Sequence, residues 1–300
     1  MSSRIPHPVV QTPNNALDQT KVTTPFSVKL VSGAIGGFVG TAVIFPLDLA
    51  KTRLQNQTSS SPIQYRGVLH CLTSSIGRDG FRGAYRGLFP NLVGVMPEKA
   101  LKLACNAQFR EMLADGAGVV TLPSELAAGA LTGFAQCTIT TPMEIVKIRA
   151  QMAGPGTSTV KLITELGLSQ MYKGNAATLL RDVPFSVLFF TLNCKLKETL
   201  SDSDGSLPAS TTIAIGTFSG IISAVFVTPC DVIKTRLQSK SSGGVQYSGV
   251  MNAFSTVLKQ EGPRAFFKGA SARGLVVGPL FGIATLSYDI FESFYHKYIV

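Results

Sequence analysis

The chain has 300 residues and a net charge of +10, with 27 Lys and Arg against 17 Asp and Glu. Its composition is 45% hydrophobic and only 15% charged, whereas soluble domains average about 25% charged residues. This balance favours a membrane protein over one or two soluble domains. A nucleic-acid-binding protein is also disfavoured, because the basic residues alternate with long apolar segments and form no basic domain.

The first 25 residues are polar and lack both the apolar centre of a secretory signal and the Arg-rich pattern of a transit peptide. We expect residues 1–25 to form a disordered tail. Uncharged runs then cover 30–47, 126–143 and 205–230. Each is long enough for a helix to cross about 30 Å of hydrocarbon.

A decapeptide at the end of each apolar run occurs three times, at 46–55, 142–151 and 229–238. Every copy begins with Pro, followed at fixed positions by an acidic residue, Lys, Arg and Gln. Repeats of this kind are supersecondary units that need their neighbours for stability. We therefore divide the chain into repeats at 26–115, 122–200 and 208–298.

The repeats agree outside the decapeptide as well. Two glycines four residues apart precede each proline, which lets helices approach closely in a membrane; they are Gly33 and Gly37, Gly129 and Gly133, Gly216 and Gly220. Downstream, each repeat has a glycine followed five residues later by an aromatic-basic-Gly triplet. With the residue before it, this glycine forms the dipeptides Asp79-Gly80, Leu166-Gly167 and Glu261-Gly262. Each repeat thus predicts an apolar helix, a charged proline motif, a short polar helix and a second apolar helix.

The second apolar helix of each repeat is weaker, because it carries charges: Glu98, Lys99 and Lys102, then Arg181 and Asp182, then Arg273. Charges are costly against lipid, so these helices should turn one face to a water-filled interior. Basic residues concentrate in the loops 51–88, 147–174 and 234–269. This bias places both termini on the opposite face of the membrane, and the net positive charge suits anionic lipid such as cardiolipin.

The five cysteines and three histidines have neither metal-ligand nor redox spacing. We therefore expect no metal, no cofactor and no catalytic residue. A membrane-embedded enzyme is the alternative of a different class, and it would need a nucleophile, base or metal cluster that the sequence does not offer.

The triplicated Pro-x-Asp/Glu-x-x-Lys-x-Arg with its trailing Gln, together with the downstream Gly and aromatic-basic-Gly elements, resembles the mitochondrial carrier family over about residues 27–295. The resemblance implies an all-α membrane protein whose six transmembrane helices form a barrel of three pseudosymmetric repeats, with short matrix helices. It also implies a monomeric, multi-pass carrier of the mitochondrial inner membrane that works by alternating access. Both termini would face the intermembrane space.

By the same resemblance, the proline motifs form a gate on the matrix side. Proline kinks the helix, and the acid and base of each motif lie one turn apart. The expected pairs are Asp48 with Lys147, Glu144 with Lys234 and Asp231 with Lys51, braced by Gln55, Gln151 and Gln238. The alternative is that these charges are solvated anchors at the helix ends.

The family's corresponding motif on the other side is incomplete here. The aligned positions are Ala107/Arg110, Cys194/Lys197 and Asp289/Glu292. Only Asp289 keeps the acid, and Glu292 replaces the third base. We expect no complete ring of ion pairs and a weak cytoplasmic gate.

Charges within the second helices predict the substrate. Gly94, Glu98, Lys102 and Asn106 lie at i+4 spacing with Lys99 beside them. Arg181 can hold a carboxylate in bidentate fashion and Asp182 can hold an ammonium, which suits an α-amino acid. The alternative is an internal salt bridge between the two.

An Arg-acid pair at this position resembles the amino-acid branch of the family. The segments 97–103, 180–186 and 279–284 look like those of mitochondrial glutamate carriers, and the first two also resemble aspartate/glutamate exchangers. The short tail and Val277-Gly278 favour the glutamate carriers. The sequence thus predicts L-glutamate transport with a proton or in exchange for hydroxide; another amino acid, a dicarboxylate, or aspartate/glutamate exchange is the alternative.

The candidate substrate site comprises Arg181, Asp182, Glu98, Lys99, Lys102, Asn106 and Arg273. Lys99 or Lys102 would bind the side-chain carboxylate. Glu98 would carry the proton, since an unpaired carboxylate among apolar residues favours its neutral form. Alternatively, Glu98 merely neutralises Lys102.

Overall fold

Six long helices dominate the computed structural model, which describes residues 4–6, 24–55, 68–85, 88–115, 119–153, 172, 175–201, 206–238, 250–267 and 269–298. The long helices are α1 (Phe26–Gln55), α4 (Leu88–Leu113), α5 (Leu122–Ala153), α6 (Asn175–Leu200), α7 (Ala209–Gln238) and α9 (Ala270–Tyr298). The shorter elements are β1 (Arg4–Pro6), α2 (Val68–Asp79), α3 (Phe81–Ala84), β2 (Ser206–Pro208), α8 (Val250–Glu261) and a 3-10 helix (Pro263–Phe267).

The long helices form a closed ring. Going around it, α1 packs against α4, α4 against α5, α5 against α6, α6 against α7, α7 against α9, and α9 against α1. The first and second long helices of each predicted repeat are therefore neighbours. A ring closed in this way has an interior that side chains of all six helices can reach.

The two ends of the ring carry different parts of the sequence. At one end, which we term the terminal end, Thr24 before α1 bonds His296 near the end of α9, with 2.8 Å between Oγ1 and Nε2. The first helices run from this end to the decapeptides, so the opposite end is termed the motif end. The chain thus begins its first long helix and completes its last at the same end of the ring.

The paired glycines lie where the two long helices of one repeat pack closely. A Cβ atom added at Gly133 would stand 2.7 Å from the Cα of Val183, and one at Gly216 would stand 2.7 Å from the Cα of Gly282. Neither position can hold a larger residue without separating the backbones. The small-residue pattern therefore marks helix contacts, as the sequence predicts.

Glycine also ends the short helices in the first and third repeats. Gly80 follows α2 with φ +67, and Gly262 follows α8 with φ +78. This left-handed conformation is common just after a helix and favours glycine. The predicted short polar helices are thus confirmed as α2 and α8, whereas their counterpart around Gly167 lies outside the described residues.

Three helical segments are long and apolar enough to cross a membrane: Phe26–Ala50, Ala209–Lys234 and Arg273–Tyr298. The set differs from the predicted one. The run 126–143 lies within α5 but is not among the described segments that qualify, because threonines and Gln136 interrupt its apolar residues. The segment in α9 does qualify, although the charges of the second helices predict weaker apolar segments in all three repeats.

The third predicted run also starts later than expected. Residues 205–230 predict a continuous apolar segment, but Ser206–Pro208 forms β2 and α7 begins at Ala209. Strand β2 pairs antiparallel with β1. The predicted disordered tail lies mostly outside the described residues and stays a prediction.

Candidate functional site

Charged side chains from four helices form what we term the central charge cluster: Glu98, Lys99 and Lys102 of α4, Arg181 and Asp182 of α6, Asp231 of α7, and Arg273 of α9. Six of the seven predicted substrate-site residues belong to it. Asn106 does not, since its Nδ2 donates to Thr132 Oγ1 of α5 at 3.4 Å. Its predicted contact with substrate stays a prediction.

Arg181 and Asp182 form an internal ion pair. The Arg181 Nε lies 2.7 Å from Asp182 Oδ1, and Nη2 lies 2.8 Å from Oδ2. Asp182 is only 5% exposed, so its charge depends on this partner. This geometry matches the internal salt bridge foreseen as the alternative, and it leaves both groups in place to exchange partners with an amino acid.

Asp231 joins the cluster to the proline motif of the third repeat. It forms an ion pair with Arg273 of α9, and Arg181 Nη1 approaches its Oδ1 at 3.9 Å. Its predicted partner was Lys51, whose side chain lies outside the described residues. The acid of this motif is thus shared with two arginines of the candidate substrate site.

Two further residues of the predicted matrix gate have described side chains. Asp48 and Lys234 lie in α1 and α7, and Lys234 is buried. Their expected partners Lys147 and Glu144 lie, as side chains, outside the described residues; the same holds for the bracing residues Gln55, Gln151 and Gln238. The ring of three ion pairs stays a prediction.

Glu98 does have a charged partner. Lys99 Nζ lies 3.4 Å from Glu98 Oε1, and Lys102 and Asp182 are within electrostatic reach. The expectation of an unpaired carboxylate is therefore wrong. A proton-carrying role for Glu98 would require Lys99 to move away or to exchange partners.

Phenylalanines close the interior beside the lysines. Phe185 and Phe189 of α6 and Phe281 of α9 are buried and form what we term the aromatic layer, with Phe281 centroids 5.3 Å from Phe185 and 4.5 Å from Phe189. Leu103 of α4 packs into the same cluster. These rings are absent from the predicted site, although their position one to five residues after Pro184 or Pro279 could have indicated an interior location.

Ion pairs link helices at the terminal end. Lys197 of α6 lies 2.5 Å from Asp289 of α9, Lys29 of α1 lies 2.6 Å from Glu111 of α4, and Arg110 of α4 lies 2.7 Å from Glu125 of α5. Only the first pair joins positions of the family motif. A single motif pair agrees with the absence of acids at positions 107 and 194, which are Ala107 and Cys194. Lys29 and Glu125 form ion pairs between helices that the family motif does not predict.

The sequence profile described as mitochondrial carrier protein matches the chain three times, at 22–117, 118–204 and 205–299. The chain belongs to the mitochondrial carrier family. Members of this family are transporters.

Curated relatives support this assignment. The carrier is 42% identical to mitochondrial substrate carrier family protein X of Dictyostelium discoideum over 287 residues, 93% of this chain and 95% of that protein. It is 44% identical to a calcium-binding mitochondrial carrier protein of the same organism over 87% of this chain. It is 40% identical to the human electrogenic aspartate/glutamate antiporter SLC25A12 over 88% of this chain. The matches span 35% and 40% of the last two relatives' own lengths.

Proposed function

We propose that this carrier transports L-glutamate, together with a proton or in exchange for hydroxide, across the mitochondrial inner membrane. The observation that supports the proposal is the Arg181–Asp182 pair, which is within electrostatic reach of Lys102 of α4 across the ring. Lys99 lies one turn before Lys102 on the same helix. A guanidinium and a carboxylate side by side match the two ends of an α-amino acid group. The lysines provide a separate site for a second carboxylate.

Substrate binding would exchange internal ion pairs for similar ones. The α-carboxylate takes the guanidinium of Arg181, the ammonium takes Asp182, and the side-chain carboxylate takes Lys99 or Lys102. Breaking a buried pair without replacement typically costs 3–5 kcal/mol. An amino acid replaces both partners at once, whereas a keto acid leaves Asp182 without a cation.

The charge of the cluster favours an anionic substrate. Its described members are four cations, Lys99, Lys102, Arg181 and Arg273, and three anions, Glu98, Asp182 and Asp231. These seven groups sum to one positive charge, and the buried Lys234 of α7, within electrostatic reach of Asp182, adds a further cation. This surplus favours an anion such as glutamate. A basic amino acid would instead add to the surplus.

Aspartate/glutamate exchange is the second candidate. It is favoured by the relatives named aspartate/glutamate antiporters, which are about 40% identical to this chain. The site described here fits aspartate and glutamate by the same chemistry, since the two differ by a single methylene. The two candidates differ in whether uptake of one amino acid requires export of another through the same carrier.

Uptake into liposomes containing the purified carrier separates them. Under the first proposal, labelled glutamate accumulates in empty liposomes when the outside is acidic. Under the second, accumulation requires liposomes preloaded with aspartate or glutamate. Failure to transport glutamate under either condition would contradict both proposals.

We further propose that the carrier acts as a monomer, binds anionic lipid such as cardiolipin, and places its terminal end toward the intermembrane space. The shared location of Thr24 and His296 supports a common side for the two ends of the helical ring. Protease treatment of mitochondria after rupture of the outer membrane should remove an epitope tag from either terminus. Protection of both tags would reverse the orientation.

A further inference from the structure

The lysines of α4 rest on aromatic rings as well as beside acids. Lys99 Nζ lies 4.4 Å from the centroid of Phe281. Lys102 Nζ lies 4.7 Å from the centroid of Phe185 and 5.8 Å from that of Phe281. All these distances are within the approximately 6 Å range of a cation–π interaction.

The contacts occur inside the ring. Helix α4 neighbours α1 and α5, whereas Phe185 lies on α6 and Phe281 on α9. Helices that are not neighbours around a closed ring can touch only across its interior. The Phe281 ring is therefore a point at which α4, α6 and α9 meet.

Phe281 also lies between the two charged levels of α9. Arg273 of the central charge cluster is eight residues before it and Asp289 of the terminal end is eight residues after it, each about 12 Å along the helix. The aromatic layer thus lies between the cluster and the ion pairs of the terminal end. A substrate entering from the motif end would meet the lysines at the face of this layer.

We propose that Phe281, supported by Phe185, is a positioning residue that holds the ammonium groups of Lys99 and Lys102 ready for the second carboxylate of the substrate. The ring stabilises a cation without contributing a net negative charge. The ammonium groups therefore keep their positive charge available to a substrate carboxylate. A tighter ion pair with Glu98 or Asp182 would neutralise that charge. This inference rests on the proposed transport of glutamate and assigns a role to a residue that carries no charge.

The test replaces Phe281 with 3,4,5-trifluorophenylalanine, which keeps nearly the same shape but withdraws electrons from the ring face. We expect the KM for glutamate uptake to rise roughly three- to tenfold with kcat within about twofold. Phe281→Leu should raise KM at least as much. The matched control is the same pair of replacements at Phe190, which is buried in the same cluster but has no cation–π contact among the described residues; both should leave KM within about twofold.

An unchanged KM in the fluorinated protein, with a raised KM in Phe281→Leu, would show that the ring acts by volume alone and would overturn the inference. A second measurement needs no substrate. Thermal unfolding of Lys99→Met, Phe281→Leu and the double variant should show coupling between the two positions, because each single change removes the same contact.

The proposed function and the proposed role of Phe281 would be contradicted by different results. If the unmodified carrier does not take up glutamate, the proposed function is wrong, and thermal unfolding of the single and double variants still decides whether the Phe281 ring holds Lys99. If uptake is normal but these variants show additive effects, the proposed role of Phe281 falls and the transport function stands.

Discussion

The ion pairs of the terminal end and those of the central charge cluster are built differently. Three pairs of the terminal end join separate helices, as Lys197 and Asp289 do, whereas the exposed Lys195–Glu198 pair lies within α6. In the cluster, Arg181 and Lys99 each pair with an adjacent residue of their own helix, Asp182 and Glu98 respectively, while the Asp231–Arg273 pair links α7 to α9. Pairs between helices resist separation of the ring wall, whereas pairs within a helix can open without moving it. The first kind suits a closure, and the second suits a site that must release its partners to a substrate.

The largest effect should follow from breaking the cluster pair. Arg181→Lys loses the planar fork that binds Asp182 through two nitrogens, so kcat/KM for glutamate should fall by roughly a hundredfold. Asp182→Asn should also abolish the preference for amino acids over keto acids. Uptake into liposomes measures both.

Lys195→Gln provides the control, because Lys195 forms an exposed pair with Glu198 on the same helix. It should leave uptake nearly unchanged. Normal glutamate uptake by Arg181→Lys and Asp182→Asn, at normal protein level, would show that their pair is only structural.

The next largest effect concerns the acid that the cluster shares with the proline motif. Asp231→Lys places a cation beside Arg273, so uptake should fall about tenfold or more. If Lys51 is its partner in another state, Lys51→Asp added to Asp231→Lys should restore part of the activity. A double variant no more active than the worse single variant would argue against that pairing.

A smaller effect is expected at Glu98, the residue proposed to carry the coupled proton. Glu98→Gln should keep glutamate exchange but lose the several-fold acceleration that external acid gives, because the amide cannot accept the proton. The measurement compares uptake with and without a pH gradient in the same liposomes. Full acceleration in this variant would move the proton site elsewhere, and Asp182 would be the next candidate.

The smallest effect on uptake is expected at the terminal end. Lys197→Gln removes the cation that pairs with the buried carboxylate of Asp289, so the free energy of unfolding should fall by about 3 kcal/mol. The melting temperature should fall by about 6–12 °C, with uptake changed by no more than about threefold. The swap Lys197→Asp with Asp289→Lys should recover the melting temperature. A fall in glutamate uptake by Lys197→Gln as large as that expected for Arg181→Lys would contradict the contrast between the two regions.

Local chemistry was readable from the sequence. Gly80 and Gly262 end short helices because only glycine adopts their backbone conformation easily. The repeated decapeptide and the paired glycines predicted the repeats and the family, and the charges of the second helices predicted most of the cluster. These features depend on residues a few positions apart, so a linear pattern contains them.

Partner choice was decided by the tertiary structure. Asp231 meets Arg273, Asn106 meets Thr132, and Lys99 rests on Phe281, although each partner is at least 26 residues away in the chain. A charge or a ring meets whatever the closed ring of helices brings opposite it, and that depends on the packing of all six. The sequence determined which groups enter the interior, and the packing decided which of them touch.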